Sequence, residues 1–180
     1  MRITTRRTIL RPWRDDDLPA FAALHADAEV MRDANGSLTI AQSDEKLRRY
    51  RTAFDQHGFC RWAVDDLDGN LLGYAGVNAI PPDSPVAPGF DVGWRFARRV
   101  WGKGLAPEAA AAALVDVFAR TKLAEILSYT APDNVRSQAV MRRLNLRRDE
   151  KRDFVAEHNG MRWVGLVWVA DRGWTPPASS

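Results

Sequence analysis

Between Phe90 and Thr130 the chain reads as strand, glycine-bearing loop, helix and strand, and this unit restricts the fold more than any other stretch. The first strand-like run is Phe90 to Phe96, and the octet from Arg99 to Ala106 follows it. A helix-like run then extends from Pro107 to Arg120, and a second strand from Ile126 to Thr130. Strands joined through a helix in this way belong to a βαβ unit and lie parallel. Gly102 and Gly104, one residue apart at the strand-to-helix junction, let backbone approach a ligand because no Cβ stands in the way. The unpaired N–H groups at the helix start favour an anion. Pro107 suits the first turn, where its missing N–H costs nothing. The octet is therefore read as a phosphate cradle.

The two common nucleotide cradles do not fit it. A dinucleotide fingerprint needs a third glycine where Pro107 stands, and an acid near the end of the next strand, whereas Glu125 begins its strand. A P-loop needs lysine after its last glycine, and Leu105 follows Gly104. Taken alone, the two glycines also suit a tight turn that only caps a helix.

Composition bounds the remaining classes. With 180 residues, 46% of them hydrophobic, the chain is expected to form a single domain with a substantial core, its tail from about Trp174 to Ser180 loose. No apolar run reaches membrane-spanning length and no signal-peptide pattern opens the chain. Cys60 is the single cysteine, so no intramolecular disulfide forms and a reducing, cytoplasmic home is expected. His25, His57 and His158 are far apart, and no metal site is expected. A net charge of +3 and a pI near 9.3 suit anionic ligands without arguing for nucleic acid.

Along the chain, Thr8 to Trp13 predicts a first strand, and Asp15, Asp16 and Asp17 predict the capped start of a helix reaching His25. A second helical stretch starts near Ala28 and breaks at Asn35-Gly36. Leu47, Tyr50 and Phe54 set a helical spacing for Thr39 to His57, which Gly58 ends. Phe59 to Val64 and Leu71 to Ile80 read as a hairpin, and Pro81, Pro82, Pro85 and Pro88 mark an exposed loop. The alanine run Ala109 to Ala113 belongs to the helix after the octet. A last helix runs from about Asn134 to Leu144, with strands over Arg148 to Phe154 and Met161 to Val169.

The start of that last helix is the second informative segment. Asp133 or Asn134 caps it, and Asn134 and Ser137, three apart, share a face in its first turn. It stands one strand after the phosphate cradle.

Jointly these segments resemble the GNAT superfamily of N-acetyltransferases, and within it the RimJ/RimL-like branch that acetylates ribosomal-protein alanine. The matching residues are Asp91-Val92-Gly93-Trp94, then Arg99, Gly102, Gly104, Ala106, Glu108 and Ala109, then Asn134, Ser137 and Val140. Leu10-Arg11-Pro12-Trp13 and Asp171-Arg172-Gly173-Trp174 are also similar to that branch, so the resemblance spans about the whole chain. It departs at Asn145-Leu146, where the family has Gly-Phe, and at Met141, where many members carry a catalytic tyrosine. Asn145 tolerates a left-handed backbone.

The resemblance implies an α/β (α+β) fold. Its central sheet would be mixed and mostly antiparallel, of about seven strands, with one splayed pair and flanking helices. It implies acetyl-CoA as cofactor, no metal, and direct transfer of acetyl to an amine, either a small molecule or a peptide. The amides of Trp101, Gly102, Lys103, Gly104, Leu105 and Ala106 would hold the pyrophosphate, with charge from Arg99 or Lys103. The strand through Trp94 and Phe96 would pair with the pantetheine arm, and an N–H near Trp94 would polarise the thioester carbonyl. Ser137 would protonate the leaving thiolate, because Met141 cannot donate. Asn134 would orient the arm or an ordered water. Asp91, an acid at the start of the family's fourth strand, would act as base through water. Glu108 fits the pattern, but the helix dipole also accounts for a first-turn acid.

The other readings of these residues are structural. Ser137 also reads as a solvated helix serine and Asp91 as a strand-end carboxylate. Trp13, Trp62, Trp163 and Trp168 read as strand core, Trp101 as a cover for cofactor or helix, and Cys60 as a small core residue. Asp33, Asp44 and Glu45 would attract a cationic amine or form a solvated face. A non-catalytic acyl-CoA sensor is the second reading for the whole chain, because the tyrosine is missing. A nucleic-acid binder ranks behind both, because Arg142, Arg143, Arg147 and Arg148 are dispersed among acids. No membrane partner is implied, and a homodimer is left open.

Overall fold

Nine strands join in one sheet in this computed structural model, which describes residues 1–34, 36–158 and 161–178. In chain order they are β1 (Ile3–Thr4), β2 (Ile9–Arg11), β3 (Arg61–Asp65), β4 (Leu71–Ala79), β5 (Phe90–Phe96), β6 (Glu125–Thr130), β7 (Arg147–Arg148), β8 (Phe154–His158) and β9 (Met161–Asp171). The spatial order is β1-β2-β3-β4-β5-β6-β9-β7, with β8 also paired to β9. β5 and β6 are parallel, as the βαβ unit requires, and every other pairing is antiparallel. The sheet exceeds the expected seven strands through β1 and β7, each of two residues and too short to show an alternation.

Among the described residues five α-helices cover the two faces: α1 (Leu18–Ala26), α2 (Ala28–Met31), α3 (Ile40–His57), α4 (Leu105–Arg120) and α5 (Val135–Arg143). Their ends follow local chemistry. Thr39 caps α3, accepting from the Gln42 N–H at 3.2 Å while Gln42 accepts from the Thr39 N–H at 2.9 Å. Gly58, with φ 74°, closes the same helix in the left-handed conformation. α4 buries Ala109, Ala110, Ala113, Leu114 and Val117 completely against Trp62, Val77 and Ile126 of the sheet. Its alanines allow close approach, and the two larger side chains each contribute about 2 kcal/mol on burial. On the opposite face, α1 and α3 enclose Trp13, Phe21, Tyr50 and Tyr74, with the Trp13 and Phe21 rings 4.8 Å apart at 77°.

Four expectations change. Asp15–Asp17 form a 3-10 turn ahead of α1, and Asp17 makes no side-chain cap of that helix. It is drawn instead to Arg11, whose guanidinium donates to Asp17 at 2.7 and 2.8 Å and to Asp65 at 2.5 and 3.0 Å. With all three side chains at most 8% exposed, bidentate pairing outweighs an exposed cap. Arg148 to Phe154 is not one strand but β7, a 3-10 turn and the start of β8. Arg148 grips Asp153 across that turn, and Asp153 accepts the Val167 N–H at 3.0 Å, which bends the segment. Trp13 lies just beyond β2 rather than within it. Trp174 is not loose: its indole N–H donates to the Leu144 carbonyl at 2.6 Å and its ring meets Phe118 at 6.2 Å. Asn35 of the expected turn, and Ser179 and Ser180 of the tail, lie outside the described residues. Gly36 takes φ 93°, and Asn145 takes the expected left-handed backbone at φ 56°.

Candidate active site

β5 and β6 are in register at one pair, Asp91 with Leu127, and then separate. Ser128 Oγ donates to the Val92 carbonyl at 2.9 Å at the vertex of this V. Because backbone groups alternate sides along a strand, the N–H and C=O of Trp94 point the same way as those of Val92, into the gap. The other edge of β5 is paired with β4 along all seven residues, Phe90 to Phe96. On this edge Val92 is bound by Ser128 and the Phe96 carbonyl by the Trp101 indole, so the position that β5 leaves open to a ligand is Trp94.

The gap opens into a cleft of about 640 Å³. One end is the octet. Gly102 and Gly104 both take φ 75°, and Gly104 is the residue from which α4 starts. A non-glycine residue held in this left-handed backbone at either position would cost about 1–2 kcal/mol. Trp101, Gly102, Gly104, Leu105 and Ala106 line the cleft, as do Trp94 and Phe96 of β5. Trp101 is held by its indole N–H, which donates to the Phe96 carbonyl at 2.7 Å. Arg136 of α5 lies over its ring at 4.3 Å and pairs with Glu29 of α2 at 3.2 Å, linking two helices across the mouth.

Arg99 and Lys103 are not brought to the cleft. Arg99 donates to the Leu71 carbonyl at 2.7 Å, and the side chain of Lys103 is outside the lining. The loop is braced from behind by a different arginine. Arg7 Nη1 donates to the Lys103 carbonyl at 2.8 Å, and Arg7 Nε to Glu108 at 2.7 Å. Glu108 also accepts from the Arg7 N–H at 2.8 Å and Thr5 Oγ1 at 2.7 Å. Burial would raise its pKa, but these donors outweigh it and hold the carboxyl below its usual range. Glu108 is thus an anchor for the cradle and not a group facing the cleft.

On the other wall, Asn134 and Ser137 reach the cleft together from the start of α5. Asn134 Oδ1 accepts the Ser137 N–H at 3.0 Å, so the helix cap leaves its amide NH2 available. Met141 is 1% exposed and also lines the cleft, filling the space with a thioether that has no proton to give.

Asp91 stands at the vertex but is committed to Arg61 of β3. The two side chains are 13% and 11% exposed and 2.5 Å apart, and Arg61 also donates to the carbonyls of Asp91, at 2.7 Å, and Gly76. Gly93 makes room for that guanidinium: a Cβ there would stand 2.8 Å from Arg61 Nη2. Burial pushes the Asp91 carboxyl above its ordinary pKa, against the pull of Arg61. For Arg61 burial works against the charge, and Asp91 outweighs it, so the guanidinium stays protonated.

Beyond the vertex, on the α1–α3 face, lies a chamber that sequence patterns did not announce. Lys46 and Tyr50 enter it from one turn of α3, Tyr74 from β4 and Arg95 from β5. The Tyr74 hydroxyl accepts from Arg95 Nε at 3.2 Å and lies 3.4 Å from His25 Nε2. His25 Nδ1 donates to the Phe21 carbonyl at 2.8 Å, which leaves Nε2 to accept the Tyr74 proton. Burial would raise the Tyr74 pKa, but Lys46 and Arg95 outweigh it and bring it down to about 8. The available signal was a charged residue inside an apolar strand, Arg61, and tyrosines at inward positions of α3 and β4.

Of the tryptophans expected in the core, Trp13, Trp62 and Trp168 are buried, whereas Trp163 departs from that expectation: it is half-buried and lines the cleft. Cys60 is fully buried, and burial pushes its thiol up to about 12. Of the acids offered to a cationic amine, Asp33 reaches the cleft, while Asp44 and Glu45 do not, and Glu45 pairs with Arg48. Among the described residues no group of three or more His, Cys, Asp or Glu side chains could hold a metal. Nor is any helix there long and apolar enough to cross a membrane.

Two left-handed glycines, a strand edge open at Trp94 and an amide-and-hydroxyl pair thus face one cleft, a donor set suited to a phosphate-bearing ligand with an amide-containing arm. Comparison with known proteins agrees. The chain is 28% identical over 147 residues to YkkB, an uncharacterized protein of Bacillus subtilis (strain 168), covering 81% of this chain and 84% of that one. Its fold matches an acetyltransferase from Agrobacterium tumefaciens str. C58 with a TM-score of 0.80 at 22% identity, over 96% and 95% of the two chains. It also matches RimL, a ribosomal L7/L12 alpha-N-protein acetyltransferase solved with coenzyme A, with a TM-score of 0.76 at 16% identity over 95% and 98%. Residues 7–147 match the acetyltransferase (GNAT) domain, and the chain belongs to that family.

Proposed function

We propose that the protein is an acetyl-CoA-dependent N-acetyltransferase that moves an acetyl group directly to a primary amine within a ternary complex. The observation that supports this most is the edge of β5 open at Trp94 beside a left-handed glycine cradle, with Asn134 and Ser137 opposite. Acetyl-CoA, when bound, supplies the acetyl group as an activated thioester. The amides from Trp101 to Ala106, at the start of α4, bind the pyrophosphate, and Arg7 holds their loop through the Lys103 carbonyl. The free edge at Trp94 binds the amide-bearing arm by strand addition, and its N–H stabilises negative charge on the reacting carbonyl. Ser137 Oγ gives its proton to the departing thiolate and regains one, through water, from the proton that the attacking amine sheds to Asp91. Asn134 orients Ser137 through the helix cap. No cysteine serves as nucleophile, because Cys60 is buried with a raised pKa. A single cysteine also fits a reducing, cytoplasmic setting.

Asp91 is the nominated base, and its ion pair with Arg61 makes it a group that fixes the vertex as well. Thiol release from acetyl-CoA across a panel of amines tests the proposal. Acceptor-dependent release is expected; saturable acetyl-CoA binding with no release for any amine would identify the non-catalytic sensor instead.

A further inference from the structure

Charges in the chamber beyond Asp91 do not cancel. Asp91 is matched by Arg61, and Glu29 is shared by Arg32 and Arg136. Lys46 and Arg95, both half-buried, have no carboxylate within ion-pair distance among the described residues. Arg95 donates to two neutral oxygens, the Tyr74 hydroxyl and the Val30 carbonyl. Lys46 Nζ lies over the Tyr74 ring, 6.0 Å from its centroid. Two cations thus converge on one phenol, and among the described residues only Asp33, at an exposed position, brings an acid without an ion pair to the same cleft.

Half-burying a cation without a counter-ion is unfavourable unless a ligand supplies one. Specificity follows from the same imbalance, because a polycation entering here meets repulsion from both side chains. We propose that the acceptor carries a carboxylate beside its amine, as an amino acid does, and that Lys46 and Arg95 bind that carboxylate. The inference rests on the acetyltransferase reading for the position of the acceptor, and it names the class of amine. The pairing also assists the reaction. Neighbouring cations favour the neutral form of an amine, which is the form that attacks.

The test compares amino acids with their own carboxamides, and with spermidine, as acceptors in thiol release. In parallel, the N-acetyl amino acids and N-acetyl carboxamides are titrated calorimetrically into the protein saturated with coenzyme A. At least one acid is expected to outperform its amide in both readouts. The gap should shrink on the order of tenfold in Lys46→Met and persist in Lys46→Arg. Amides or spermidine that match or exceed every acid overturn the inference, as does an acid–amide gap unchanged in Lys46→Met. Failure of the acetyltransferase reading looks different: the N-acetyl acids bind with the stated preference while no amine releases thiol.

Discussion

Arg7 and Glu108 stand 101 residues apart in sequence and 2.7 Å apart in the fold, and their pairing ties the N-terminal turn to the first turn of α4. The same guanidinium holds the Lys103 carbonyl, which braces the glycine loop from the side of β1 and β2. Glu108→Gln removes the charge and half of this brace. Because Arg7 is 39% exposed, the loss should be modest, about 1 kcal/mol, or roughly fivefold in acetyl-CoA affinity. Calorimetry on the variant checks it; unchanged affinity would show that the loop keeps its shape without the pair.

Gly104→Val should weaken acetyl-CoA binding far more. At φ 75° a β-branched residue is strained, and its branches add bulk at the start of α4. A loss of at least tenfold in affinity is expected, read by the same titration, with the midpoint of thermal unfolding lowered as well.

Ser137→Ala separates chemistry from binding. The helix cap uses the Ser137 N–H, which alanine keeps, so α5 should remain intact. Turnover is expected to fall by about a hundredfold with the dissociation constant for acetyl-CoA unchanged. Intact turnover would hand the proton transfer to water. Met141→Tyr places a hydroxyl where the family has its tyrosine, and should recover part of the loss in the Ser137→Ala background.

Asp91→Asn leaves Arg61 buried without its counter-charge. The expected cost is about 3 kcal/mol of stability, measured by denaturant unfolding. A variant as stable as the parent would show that Arg61 finds other partners in the cleft.

His25 predicts a pH dependence of stability. Burial lowers its pKa from 6.5 to about 4, with Lys46 and Arg95 adding to the effect and the Phe21 carbonyl opposing it. The unfolded chain therefore binds a proton that the folded chain refuses. The associated stability is whole above pH 6.5 and is lost as pH falls toward 4, by about 3 kcal/mol. Unfolding in urea at pH 7.5 and pH 5 should show the decline, and His25→Gln should flatten it.

Much of this molecule was legible along the chain. The glycine-closed α3, the hairpin of β3 and β4, and the βαβ unit all follow from short-range spacing, and each stands close to its expected position. Where expectation and structure part, a non-local pairing had the final say. Asp17 reads as a cap until Arg11 and Asp65 are placed around it. Arg148 to Phe154 reads as a strand until Asp153 is seen to bind both Arg148 and the Val167 amide. Arg99 and Lys103 read as anion ligands by proximity in sequence, but the Arg99 guanidinium is held by the Leu71 carbonyl and neither residue lines the cleft.

By itself the amino-acid order determined the glycine-loop end of the cleft, the end proposed for the cofactor. That end is built from eight consecutive residues and the start of one helix, so backbone conformation, which glycine position controls, is enough to define it. The chamber proposed for the acceptor was decided only by the tertiary structure. His25, Lys46, Arg61, Tyr74 and Arg95 come from five separate elements. The charge and proton affinity of such groups depend on what lies within a few ångströms across the fold, and no spacing along the chain encodes that.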